Sequence, residues 1–128
     1  MRLDLGPSLQ VLRAKALAQV DAQAEAARLR HITPGAGQAL TYERKRAEAE
    51  ALVRDPAPAP QAYPFLRAEV GITADTLAGV AQLVRQRAAE WTRQAVAIER
   101  ARLAAKRDIE RANSPRALRQ AAQVDWPD

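Results

Sequence analysis

Between Ala74 and Ala112 the chain runs 39 residues with no proline and a single glycine, Gly79. Proline and glycine end helices more reliably than any other residue, so the stretch predicts one continuous helix over 74–112, about 58 Å long at about 1.5 Å per residue. Taken at 100° per residue, Leu77, Val80, Val84, Ala88, Trp91, Ala95, Ile98, Ala105, Ile109 and Ala112 fall on one side of it. A stripe spaced by threes, fours and sevens over ten turns predicts a helix seated against partners along its length. A second, narrower row of Ala89, Val96 and Leu103 lies well away from the first, at seven-residue intervals. Two rows predict contact on two sides, as in a multi-helix bundle or an oligomer.

Composition points the same way. Thirty of the 128 residues are alanine and only five are aromatic. Alanine buries little area but favours helix and lets helices approach closely. The expected fold class is therefore all-α and extended rather than globular, without the deep pocket of a catalytic domain.

Outside the long helix, Ser8 stands where its side chain can cap a helix running to about Arg30, with Leu9, Leu12, Ala16, Val20 and Ala27 on one face. The segment His31 to Gln38 holds two glycines and a proline, so Thr33, Pro34, Gly35, Gly37 and Gln38 read as a structural turn. A second helix follows from about Leu40 to Arg54, completing an N-terminal helical hairpin over 1–55. Residues 56–62, with Pro56, Pro58 and Pro60 alternating with alanine, read as a semi-rigid connector. The C-terminal helical unit spans 63–128. In it Pro64 opens a short helix that Gly71 ends, Thr73 caps the long helix, and Ser114-Pro115 starts a last short one. The tail should be irregular, with Trp126 resting on something. Neither strand-like alternation nor an internal repeat is present.

A net charge of +5, carried mostly by arginine, permits contact with nucleic acid but does not require it. Arg93, Arg100, Arg107 and Arg111 project opposite the main stripe, yet Glu90, Glu99 and Asp108 stand three residues before Arg93, Arg102 and Arg111. Those spacings pair charges along the helix surface and describe a solvated face. No aromatic residues interleave with the arginines, so nucleic acid is not an expected partner. No apolar run approaches the ~20 residues that cross a bilayer, so no membrane insertion is expected. Asp4 and the Gly6-Pro7 break argue against a secretory leader, which places the chain in the cytoplasm unless an assembly carries it out.

Catalytic and metal chemistry find no foothold. With no cysteine there is neither a thiolate nucleophile nor a Cys-based zinc site. His31 stands alone in a Gly/Pro loop. Glu43, Glu48 and Glu50 sit among Arg44, Lys45 and Arg46, where neighbouring cations work against the raised pKa a general acid needs. Gly35-Ala36-Gly37 follows no strand, which leaves no phosphate-cradling loop. No enzyme activity, cofactor or metal is expected. Trp91, central in the stripe, reads as a packing anchor.

Two segments together resemble a known group. Residues 28–53 hold a turn through His31-Ile32-Thr33, the loop Pro34-Gly35-Ala36-Gly37-Gln38, and a helix opening on Thr41-Tyr42 with Lys45, Glu48 and Ala49. Residues 63–111 run from Tyr63-Pro64-Phe65-Leu66 through Gly71-Ile72-Thr73 and Trp91 to Ile98-Glu99-Arg100 and Lys106-Arg107. In that order they resemble small helical proteins of tailed bacteriophages and prophages, often encoded beside tail-fibre or baseplate genes. The resemblance implies a non-enzymatic part of the virion tail (baseplate, tail tip or fibre attachment), present in host cytoplasm during assembly. Its partners would be other tail or fibre proteins and further copies of itself. The alternative is a tail-fibre or tail assembly chaperone absent from the mature virion. The resemblance carries over the turn residues, with Thr41 and Tyr42, in a structural role only. Lys45 departs from the pattern by standing within three consecutive cations.

Overall fold

The computed structural model describes residues 8–128; the first seven, which include Asp4 and the Gly6-Pro7 break, lie outside the described residues. The elements in order are α1 (Leu9–Arg28), α2 (Ala36–Val53), a single 3-10 turn at Pro60–Ala62, α3 (Pro64–Ala68), α4 (Leu77–Arg111) and α5 (Pro115–Ala121). The fold is all-α as the sequence implies. Among the described residues there is no strand, only an isolated bridge between Val70 and Ala74.

The helix starts follow local chemistry. Ser8 accepts the N–H of Val11 at 3.2 Å, and Ser114 accepts that of Ala117 at 3.1 Å, so both serines cap as expected. Pro64 and Pro115 each occupy a first-turn position, where a missing N–H costs nothing.

Two starts differ from the expectation. α2 begins at Ala36, four residues early, because Gly35 takes a positive φ of 116° and turns the chain at once into helix. Gly37 and Gln38 therefore belong to the first turn of α2, and the turn proper is confined to residues before Ala36. α4 begins at Leu77, capped by Thr76, whose Oγ1 accepts the Gly79 N–H at 3.0 Å. Thr73 is not the cap: its hydroxyl donates to Glu69 at 2.6 Å, while the carbonyl of Ala74 accepts from the N–H of Gly71 at 2.7 Å. Those bonds close a tight turn around Gly71, at φ 86°, and hold residues 70–74 out of the helix. The long helix is thus 35 residues rather than 39.

The chain divides by packing into two units at places other than the proline-rich connector. Among the described residues, one comprises 8–31 with Gln94–Asp128, and the other Ile32–Arg93. In the first, α1, the C-terminal part of α4 and α5 enclose Ala16, Val20, Ala105, Ile109, Ala112, Leu118 and Ala122. Ala24, Ala27 and Ile98 extend that packing, and Trp126 from the tail packs against both groups. The indole N–H of Trp126 donates to Gln23 at 3.1 Å, which fastens the irregular tail to α1. In the second unit, α2, α3 and the N-terminal part of α4 enclose Ala49, Leu52, Tyr63, Leu66, Val80, Ala81 and Val84. The connector lies wholly within this second unit. Its two ends are joined where the Tyr63 hydroxyl donates to Asp55 at 2.5 Å, so it closes a loop and does not space two domains.

Candidate interaction surface

Most of the main α4 stripe is buried inside the chain. Val80, Val84, Ala88, Ile98, Ala105 and Ile109 are buried, and Leu77, Trp91 and Ala95 are half-buried. In the first unit the small residues of α1 pack against it, and in the second the side chains of α2 and α3 do, while Trp91 and Ala95 stay partly open.

The second row behaves differently. Ala89 is exposed, and Val96 and Leu103 keep 62% and 54% of their surface open. Both large residues belong to the first unit, one heptad apart on α4, with exposed Arg100 between them. Leaving two branched aliphatic side chains in water forgoes the burial that drives packing elsewhere in the unit. Lone exposed hydrophobes are ordinary, but a pair in register on one helix forms a short apolar ridge.

Charges around α4 are largely satisfied by neighbours. Arg93 pairs with Glu90, and Arg102 with Glu99. Asp108 pairs with Arg107 at 3.2 Å rather than with Arg111 as its spacing suggested. In the first unit Asp21 on α1 accepts from Arg102 at 3.0 Å and Lys106 at 3.1 Å, and Arg28 reaches Glu99 at 3.6 Å. The bond from Arg102, then that from Lys106, holds the Asp21 carboxyl below its ordinary range, and Arg102 does the same for Glu99. Arg28, Arg102 and Lys106 thus join α1 to α4, whereas Arg93, Arg100, Arg107 and Arg111 are exposed, as a solvated face implies.

The cations at 44–46 are likewise engaged within the second unit. The Arg44 guanidinium stands 5.7 Å from the Phe65 ring centre, Lys45 pairs with Glu69 at 3.0 Å, and Arg46 pairs with Glu43 at 3.2 Å. Glu48 is not the exposed carboxylate expected from its neighbours. It is buried, and its carboxylate accepts the backbone N–H of Phe65 and of Leu66 at the start of α3. The usable signal was its register: it stands four residues before buried Leu52 and next to buried Ala49.

Arg13 is a second residue that sequence reasoning missed. It donates through Nη2 to the carbonyl of Ala112 at 2.7 Å and through Nε to that of Ile109 at 3.4 Å, closing the C-terminus of α4. Only the tertiary fold brings α1 there, so no local pattern announces it. His31 is exposed in the turn. Among the described residues no three His, Asp or Glu side chains stand together as a metal site. No helix among them is long and apolar enough to cross a membrane. No protein-family model, curated protein or solved structure matches the chain.

Proposed function

We propose that the chain is a non-enzymatic structural component of a bacteriophage tail, of the baseplate, tip or fibre attachment, and that it binds a neighbouring tail or fibre protein through the outward row of α4. The observation that carries this reading is the open pair Val96 and Leu103 on a helix whose main stripe is largely buried. The phage context comes from the sequence resemblance over residues 28–53 and 63–111. A fold that spends its carboxylates on caps and ion pairs supports a scaffold role rather than catalysis.

The second reading, an assembly chaperone, uses the same row to cover a client's apolar surface until the client is built in. Mass spectrometry of purified particles from the strain encoding the chain separates the two. Many copies per particle support the structural part, and presence in lysate but absence from particles supports the chaperone. A Val96→Glu/Leu103→Glu variant should keep its helicity and lose co-purification with tail or fibre proteins. Unchanged co-purification removes the row from the proposal, and failure to co-purify with any such protein, even in the wild type, removes the tail context.

A further inference from the structure

The face of α1 turned away from the core carries a pattern that the packing of the first unit does not use. Val11, Lys15, Ala18, Ala22, Glu25 and Leu29 are all exposed. Their spacings of four, three, four, three and four place them within about 80° of arc on the helix, on the side opposite buried Val20. The spacing is that of a two-stranded coil's seam.

The seam reads the same in both directions from the level of Val20. Counting outward, Ala18 mirrors Ala22, Lys15 mirrors Glu25 and Val11 mirrors Leu29. Two such helices laid antiparallel about a two-fold axis at that level set each residue against its mirror mate. Alanine then faces alanine at the centre, where small side chains let the backbones come close. Lysine faces glutamate on either side, twice by symmetry. Val11 faces Leu29 at each end, covering residues that are 58% and 40% exposed in the single chain. A parallel pair would instead set lysine on lysine and glutamate on glutamate.

From this we propose that α1 pairs with α1 of a second copy of the chain, antiparallel and in the register centred on Val20. Charge complementarity selects the occupant and its direction. Lys15 has no ion pair among the described residues, and Glu25 is engaged only by Arg28 of its own helix, at 3.1 Å. The same surface serves both copies, as a two-fold interface demands. Six residues a side, against roughly 20–30 in a standard interface, make this a weak dimer that fills at high local concentration. The proposal stands on α1 alone and does not depend on the tail reading or on the α4 row.

Sedimentation equilibrium of the full chain from about 1 μM to about 1 mM tests it. The wild type should pass from monomer to dimer within that range. Lys15→Glu and Glu25→Lys should each weaken the dimer by about tenfold or more, since either change creates two like-charge contacts. The double variant, with the charges exchanged, should regain the wild-type constant. Both positions are exposed, so circular dichroism should report unchanged helix in all three. The chain has no cysteine, so oxidised Val11→Cys/Leu29→Cys can be mapped cleanly. Cross-links of 11 to 29 between chains support the antiparallel seam, and links of 11 to 11 with 29 to 29 overturn it. A chain that stays monomeric throughout, leaving the face to some other protein, or a dimer indifferent to both charge reversals, also overturns it.

Discussion

One oxygen of the Glu48 carboxylate accepts the backbone N–H of Leu66 at 3.1 Å, so a side chain from α2 serves as the N-terminal cap of α3. The other contacts go to the N–H of Phe65, at 3.0 and 3.2 Å. α3 has five residues and its preceding residue, Tyr63, makes no side-chain cap, so these buried N–H groups depend on Glu48. Glu48→Ala should lower stability by about 1–3 kcal/mol, the usual cost of orphaned buried donors. Glu48→Gln keeps an acceptor but loses the charge, and should cost about half as much. Urea unfolding followed by circular dichroism checks the order; equal losses in the two variants would contradict it.

The bond from Tyr63 to Asp55 should show itself at both ends of the pH scale. Accepting from the phenol, and then from the Ala57 N–H, holds the Asp55 carboxyl below its ordinary 3.8. Its stabilising contribution is present above that value and is lost as pH falls through the depressed one. The Tyr63 phenol is pushed above its ordinary 10.0, first by the bond to Asp55 and then by burial. That contribution is complete below pH 10 and is lost as pH rises through the raised value. Tyr63→Phe should therefore flatten the stability profile at each extreme, measured as the urea midpoint against pH. Residual acid sensitivity should remain from Asp21 and Glu99, and residual alkaline sensitivity from Tyr42, whose phenol burial also raises. A wild-type profile that Tyr63→Phe leaves unaltered would count against the pairing.

Arg13 should act as a remote C-cap. Its guanidinium meets the carbonyls that end α4, where a cation is also favoured by the helix dipole. Arg13→Met, which keeps the apolar stem, should cost about 1–2 kcal/mol, and Arg13→Lys should recover part of that. Amide exchange near Ala112 gives the local readout. Faster exchange confined to the last turn of α4 and to α5 is expected; no change there would show that water caps the helix as well.

The two rows of α4 should separate cleanly under mutation. Ile98 is fully buried against Ala24 and Ala27, so Ile98→Ala should cost about 2–5 kcal/mol. Leu103 is more than half open, and Leu103→Ala should fall within about 0.5 kcal/mol of the wild type. Thermal melts of the two variants decide the point, and comparable losses would mean Leu103 is covered in solution.

Much of the architecture was legible because it is written locally. Ser8, Pro64, Ser114 and Pro115 set helix starts through groups within one turn, and the stripe from Leu77 to Ala112 marks the buried face by its own periodicity. What the sequence hid is who covers that face. The connector at 56–62 suggested a division between N- and C-terminal halves, yet α1 packs with the far end of α4, more than 80 residues away, through Asp21 and Arg102. Such pairings depend on chain path and leave no local mark. Thr73 and Thr76 show the smaller version of the problem: both are good caps in isolation, and the turn around Gly71 decides between them. The outward row Ala89, Val96 and Leu103 could be read, but periodicity could not rank it above the stripe as an available surface.

Much of the interior of the first unit is lined with methyl groups: Ala16, Ala24, Ala27, Ala105, Ala112 and Ala122 are all buried. An interior of that kind has little to lose by trimming and no room to grow. Exchange to glycine weakens the helix by about 1 kcal/mol, whereas a single extra branch forces neighbouring backbones apart at about 1–3 kcal/mol. Substitutions at these positions should accordingly be lopsided in cost, milder toward glycine than toward bulkier side chains.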